Sequence, residues 1–226
     1  MVLAISKRFS LTAALGSSAL LVGIALPLSA AAQATQPAYY AGAHLGQNNL
    51  SSWPAEVNFG GPRASGRLSL DDGAHGGLMV GRQTENARFE VEYQQGRVDV
   101  SSVQLGPVTQ GVDARGKYHV LMLNAYRTFV LRPSLTAYAG AGVGWSSVKL
   151  PGLPPINACN CFPAASKKGA AFQLRVGAEY LVAPGHGLFL QYTALRLPGP
   201  DSGGVPSVDY ARRTIGALTA GYRATF

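Results

Sequence analysis

Eight short runs of the chain alternate apolar and polar residues with the period of two that is typical of β-strands. In one of them, Phe89, Val91 and Tyr93 alternate with Glu and Gln side chains. Each run has about the length of strand that a membrane crossing needs. The pattern therefore predicts an all-β protein whose strands have one apolar face. The runs cover 39–46, 74–83, 89–94, 121–126, 137–145, 172–180, 188–193 and 218–226.

The connections between these runs alternate between long and short ones. The short connections are 84–87, 130–134 and 183–187, and the long ones are rich in Pro, Gly, Asn and Ser. An antiparallel meander with all its long loops at one end is typical of a membrane barrel, whereas a soluble sandwich lacks this asymmetry. We therefore predict an eight-stranded antiparallel up-and-down transmembrane β-barrel. Its four long extracellular loops are expected at about 48–73, 97–116, 147–167 and 196–211.

The first 34 residues have the three zones of a signal peptide. Lys7 and Arg8 form the basic start, residues 20–28 form the apolar centre, and residues 32–34 (Ala-Gln-Ala) supply small residues for cleavage. The alternative is an uncleaved membrane anchor, which Pro27 disfavours because it breaks a continuous helix. We predict an exported protein that is cut after residue 34, or alternatively after residue 32, and a mature barrel over 35–226.

Composition and charge narrow the function classes. The chain has 226 residues, of which 47% are hydrophobic and 13% are charged, and this excludes a disordered chain. Two cysteines are too few for a domain built on disulfides. The net charge is +8, but two of the positive charges belong to the predicted leader and no basic run is longer than a pair. We therefore expect no nucleic-acid partner.

Three short segments carry a resemblance to a known family: Tyr-Tyr-Ala-Gly-Ala-His-Leu-Gly at 39–46, Arg-Phe-Glu-Val-Glu-Tyr at 88–93 and Gly-Tyr-Arg-Ala-Thr-Phe at 221–226. The chain resembles the small eight-stranded outer-membrane β-barrel proteins of Gram-negative bacteria, which include the barrel of outer-membrane protein A and the "porin family" surface antigens. The resemblance implies a location in the bacterial outer membrane. It also implies periplasmic chaperones and the barrel-assembly machinery as partners. That machinery recognises a last strand ending in an aromatic, which Leu218, Tyr222 and Phe226 match.

Several charged residues are predicted to point into the barrel. Eight strands close to a lumen that side chains fill, and buried charges stay ionised only when they are paired, so we expect one or two ion pairs. The resemblance implies a charged plug with Glu90 and Glu179 at the acidic positions, but Phe189 replaces the basic partner on the seventh strand. The alternative to structural filling is an ion-conducting gate. The predicted lumen residues are Glu90, Glu92 and Glu179, with Arg175, Arg223 and His44 as cations.

Two further groups of residues are candidates for chemistry. Cys159 and Cys161 lie in the third long loop, where export favours a disulfide at the loop tip, with pairing between molecules as the alternative. Some outer-membrane barrels modify lipid A with a Ser–His–acid set. His119 faces outward and Ser101 or Ser102 is expected near it across the hairpin, but no acid is evidently placed to orient the imidazole. A surface histidine is the simpler interpretation.

We therefore predict a structural, surface-exposed outer-membrane barrel that contributes to envelope integrity and surface interactions, without catalysis. The alternatives are a narrow channel for small solutes and, less favoured, a lipid A-modifying enzyme. We expect no cofactor and no metal. Outer-membrane lipid and lipopolysaccharide are the expected partners of a monomer.

Overall fold

The computed structural model describes residues 38–50, 52–156 and 158–226, so the predicted leader lies outside the described residues. This part of the chain forms eleven β-strands. It contains no helix that is long and apolar enough to cross a membrane. The strands are β1 (Ala38–Asn49), β2 (Ser52–Asn58), β3 (Arg63–Asp71), β4 (Gly73–Gln83), β5 (Ala87–Leu105), β6 (Val108–Arg132), β7 (Leu135–Leu150), β8 (Ala165–Ala183), β9 (His186–Leu197), β10 (Ser207–Tyr210) and β11 (Arg213–Thr225).

Eight of the strands close into a ring, in the order β1, β4, β5, β6, β7, β8, β9, β11 and back to β1. Every pairing in the ring is antiparallel. The first and last strands pair from Tyr40 with Thr225 to Asn49 with Gly216, which leaves the ring without a free edge. Each run of alternating residues lies within one of these strands, except that Phe226 directly follows the end of β11. The predicted eight-stranded up-and-down barrel is confirmed.

The two faces of the ring differ as the alternation predicts. Leu45 is 74% exposed and Leu174 is 65% exposed on the outer surface, and the other large apolar side chains that the runs direct outward are exposed as well. Their inward neighbours, such as His44, Gln173 and Arg175, are buried. A soluble protein of this size rarely exposes so much contiguous apolar surface, and hydrocarbon is the environment that suits it.

The segments expected to be long loops contain further strands. β2 and β3 lie within 48–73, β10 lies within 196–211, and β5 and β6 continue their ladder to the Leu105–Val108 pair. β3 pairs with the outer part of β5, β2 with β3, and β10 with β2. The free edge of β5 beyond the ring explains this, because it offers unpaired backbone groups to the next strand. We call β2, β3, β10 and residues 99–115 of β5 and β6 the loop-end sheet.

All long connections leave from one end of the ring, which we call the long-loop end. The opposite end carries residues 38 and 226 and the short connections 84–86, 133–134 and 184–185. In the last of these, Gly185 has a φ of 77°, a conformation that suits glycine in a two-residue hairpin turn.

One apolar core joins the interior of the ring to the loop-end sheet. Val120 and Met122 of the ring share it with Trp53 of β2 and with Phe162 of the connection between β7 and β8. Trp53 is fully buried, and its indole Nε1 donates a hydrogen bond of 2.6 Å to the carbonyl of Ala211. The interior of the barrel is therefore filled by apolar side chains at the long-loop end.

Candidate functional site

Between the apolar core and the end of the ring opposite the long-loop end, the interior of the ring holds a cluster of buried charges. Strand alternation places three carboxylates and three guanidinium groups on the inward face of β5, β8 and β11. The formal charges of these six groups balance, which reduces the cost of removing them from water. The six residues are Glu90, Glu92, Glu179, Arg88, Arg175 and Arg223.

Arg175 lies at the centre of the cluster and is only 2% exposed. Its Nη2 donates to both carboxylate oxygens of Glu92 at 2.9 Å, and its Nη1 donates to the Tyr126 hydroxyl at 2.8 Å. Its Nε donates to the Thr193 hydroxyl at 3.1 Å, and Nη1 lies 3.6 Å from Glu90 Oε1. One guanidinium therefore serves both carboxylates of β5.

Glu90 and Glu92 are two residues apart on one strand, so both point inward and repel each other. The Asn124 amide lies between them and donates to Glu90 Oε1 at 3.0 Å and to Glu92 Oε2 at 2.9 Å. Gln173 donates to Glu92 Oε2 at 3.1 Å, and His44 Nε2 lies 2.8 Å from Glu92 Oε1. Asn124 and Gln173 thus supply hydrogen bonds of the kind that a buried carboxylate needs in order to remain ionised.

A second group of charges lies nearer the end of the ring that carries the short connections, which we call the short-turn end. Glu179 is held between two arginines: Arg88 Nη1 lies 2.8 Å from Oε2, and Arg223 Nε donates to Oε1 at 2.9 Å. The side-chain oxygen of Gln83 accepts a hydrogen bond from each arginine, and Arg223 lies over the Tyr40 ring at 4.8 Å. Phe189 stands where the family resemblance implied a cation on the seventh ring strand, β9, and Arg88 of β5 and Arg223 of β11 supply the positive charge instead.

A glycine makes room for this network. A Cβ atom at Gly142 of β7 would overlap the side-chain oxygen of Asn124 and would lie 3.1 Å from Gln173 Cγ. The small cavity lined by Met79, Glu90 and Glu179 among others has a volume of about 20 Å³. That volume holds one water molecule and is too small for a hydrated solute.

The structure brings all six predicted lumen residues into this network. Arg88, Asn124 and Gln173 were not singled out from the sequence. Asn124 and Gln173 lie at inward positions of their alternating runs, and Arg88 lies directly before the run 89–94, so extending the alternation would have found all three. The three residues predicted as the assembly signal all lie on the outward, exposed face at the end of the chain: Leu218, Tyr222 and Phe226.

The expected proximity of His119 to Ser101 or Ser102 is wrong. Ser102 pairs with Gly111, and residues 111 and 119 of the same strand are roughly 26 Å apart. The register partner of His119 on β5 is Gln95, and its Nδ1 lies 2.9 Å from the Tyr93 hydroxyl. The ladder runs almost to the tip of the hairpin, which separates these residues.

Cys159 and Cys161 are joined by a disulfide in the connection between β7 and β8. Cys161 is buried and packs in the apolar core with Ile156 and Phe162, so the bridge lies against the core and not at an exposed tip. Among the residues described, no cluster of three or more His, Cys, Asp or Glu side chains is arranged to hold a metal ion.

Comparison with known proteins shows the family. The sequence profile described as the outer membrane protein beta-barrel domain matches residues 18–217. The chain belongs to this family. Its barrel is therefore a bacterial outer-membrane barrel, as the exposed apolar face requires. No curated protein matches the chain by sequence.

Solved structures to which the chain is similar are distant in sequence. The outer membrane protein OprG from Pseudomonas aeruginosa is 12% identical with a TM-score of 0.63, over 85% of this chain and 97% of that protein. Neisserial surface protein A is 17% identical with a TM-score of 0.49, over 83% and 97%. The outer membrane protease OmpT from Escherichia coli is 12% identical with a TM-score of 0.46, over 86% and 99%. The likeness to OprG bears on the fold and not on the function.

Proposed function

We propose that this protein is a structural, surface-exposed barrel that contributes to the integrity of the outer membrane and offers its long-loop end to the outside. One observation carries the proposal: the interior is filled along its length. Paired charges fill the part nearer the short-turn end, and the apolar core around Trp53 and Met122 fills the long-loop end. A filled barrel gains stability from its interior and leaves recognition to its outer surface and loops.

The second candidate is a narrow channel for small solutes. The observation that favours it is the chemistry of the lumen, which is lined with charged groups such as the ion pair of Arg175 with Glu92. Recording from the refolded protein in a planar bilayer separates the two candidates. The structural proposal expects no stepwise conductance. Stepwise conductance that is abolished or enlarged by Glu90→Ala would favour the channel.

Catalysis is not part of the proposal. His119 contacts the Tyr93 hydroxyl, and the serines that were candidates for a nucleophile lie far along the hairpin. Mass analysis of lipid A from cells with and without the protein tests this directly. We expect identical acyl chains, and a change in acylation would favour the lipid-modifying alternative.

The proposal includes partners of assembly and of the membrane. Periplasmic chaperones and the barrel-assembly machinery are the proposed assembly partners, and the outward row formed by Leu218, Tyr222 and Phe226 supports this. Outer-membrane lipid and lipopolysaccharide are the proposed neighbours of the mature monomer. Nucleic acid is not a proposed partner, since no basic run in the sequence is longer than a pair.

A further inference from the structure

Three basic side chains lie next to one another on the outer surface of β5, β6 and β7. Arg97 pairs in register with Lys117, and Lys117 pairs in register with Lys149. All three are exposed, and none of them forms an ion pair within residues 38–50, 52–156 and 158–226. Neighbouring strands are about 4.8 Å apart, so the three residues cover roughly 10 Å across the sheet. We call them the basic row.

Like charges directly opposite each other destabilise a sheet. Asp99, which follows Arg97 at the next outward position of β5, lies 3.5 Å from Arg115 and is engaged there. On the other side of the row, the partner of Lys149 on β8 is Ser166, which carries no charge. Among the described residues, no carboxylate therefore forms an ion pair with the basic row, and an external anion would relieve the repulsion of its cations.

The exposed side chains nearer the short-turn end indicate the level of the basic row in the membrane. Four residues toward the short-turn end, the same three strands carry Tyr93, Leu121 and Trp145, which pair in register and are exposed. Tyr and Trp mark the boundary between hydrocarbon and headgroups. Four residues correspond to about 13 Å along a strand, or roughly 9 Å along the membrane normal at the usual tilt. The basic row therefore lies at the level of lipid headgroups.

A groove leads from the basic row toward the apolar surface. Arg97, Lys117 and His119 line its polar side, and Leu45 and Gly76 line its apolar side, with a volume of about 420 Å³. Gly76 occupies an outward position of β4 and leaves a hollow beside Leu45. A groove with cations at headgroup depth and an apolar floor below them is complementary to an amphiphile with an anionic head.

We propose that the basic row binds the phosphate groups of an outer-leaflet glycolipid, the phosphorylated disaccharide of lipopolysaccharide. The inference rests on the proposed function in one respect, namely that the long-loop end faces outside. Lipid is favoured over a soluble polyanion because the basic row faces sideways from the barrel wall, below the loop-end sheet. Guanidinium and ammonium groups form charge-assisted hydrogen bonds with phosphate oxygens.

The test compares two variants with the same change in charge. Lys117→Gln/Lys149→Gln removes two cations of the basic row. Arg82→Gln/Arg127→Gln is the matched control, because both arginines are exposed at the short-turn end of the ring. Each full-length protein is refolded in detergent, its fold is verified by gel mobility before and after boiling, and its affinity is measured for bisphosphorylated lipid A and for dephosphorylated lipid A.

We expect the basic-row variant to bind bisphosphorylated lipid A more weakly by on the order of tenfold, with the control unchanged. Dephosphorylated lipid A should bind the unmodified protein and the basic-row variant equally. Unchanged binding by the basic-row variant overturns the proposal, as does an equal loss for both lipids. Heparin serves as the soluble polyanion for comparison. If the basic-row variant loses heparin binding but keeps lipid A binding, the proposal is overturned and the ligand is a soluble polyanion instead.

The same samples separate this inference from the proposed function. Conductance of the unmodified protein in a planar bilayer would contradict the structural function, whereas a difference between the two variants in lipid A binding would still support the basic row. Normal lipid A binding by the basic-row variant, together with a silent bilayer, would remove this inference alone.

Discussion

Replacement of Arg175 by Met tests whether the lumen charges stabilise the barrel as a network. The guanidinium donates two hydrogen bonds to Glu92 and one to Tyr126, and it lies near Glu90. Its removal leaves two buried carboxylates with neutral donors and His44. Loss of one partner of a buried ion pair costs about 3–5 kcal/mol, because the other charge remains uncompensated. We expect a decrease of this size in the free energy of unfolding.

The assay is urea unfolding of the protein in lipid vesicles, followed by gel mobility and tryptophan fluorescence. Arg115→Met is the control, since this side chain is 69% exposed and its pair with Asp99 spans 3.5 Å. An exposed pair contributes under about 1 kcal/mol. Arg175→Met/Glu92→Gln should recover part of the lost stability, because it removes one of the uncompensated charges. Equal losses for Arg175→Met and Arg115→Met would refute the network.

Three other perturbations address the outer surface, the loop-end sheet and the disulfide. Leu123→Arg places a charge near the middle of the apolar face and should lower the free energy of unfolding in vesicles by about 2–4 kcal/mol. Thr109→Arg, in the loop-end sheet, is the control and should change it little. Equal effects of the two variants would contradict the placement of hydrocarbon against the outer face of the ring. Trp53→Ala removes a fully buried side chain and should accelerate proteolysis of the loop-end sheet while boiling is still needed to unfold the barrel. Cys159 and Cys161 should react with maleimide only after reduction, and a dimer on a non-reducing gel would indicate pairing between molecules instead.

The alternation of apolar and polar residues predicts most of the fold, because a β-strand turns successive side chains to opposite faces. Phe89 and Glu90 illustrate this, since the side chains of these neighbours lie outside and inside the ring. The same rule placed His44 and Arg175 in the lumen. It could not show which groups meet there, because Arg175 reaches Glu92 across the interior from a strand that is not its neighbour in the ring.

The loop-end sheet was not predictable from local pattern. β2 and β10 pair with each other although they are far apart in sequence, and Trp53 finds its hydrogen-bond acceptor at Ala211. Such contacts depend on the edge of β5 that β4 leaves free, to which β3 pairs. The error at Ser102 has a related cause, since the register of a hairpin depends on where its turn lies, and this turn lies at residues 106–107.

Fluorescence quenching by brominated lipids tests most directly whether the apolar face borders hydrocarbon. Trp145 is exposed on the outer surface of β7, and Trp53 is fully buried in the apolar core. In vesicles of brominated phospholipid, the Trp53→Phe variant, which retains Trp145, should lose most of its emission, whereas the Trp145→Phe variant should keep its emission. Equal quenching of the two variants, or quenching of Trp53 alone, would contradict a barrel with lipid outside and a packed interior.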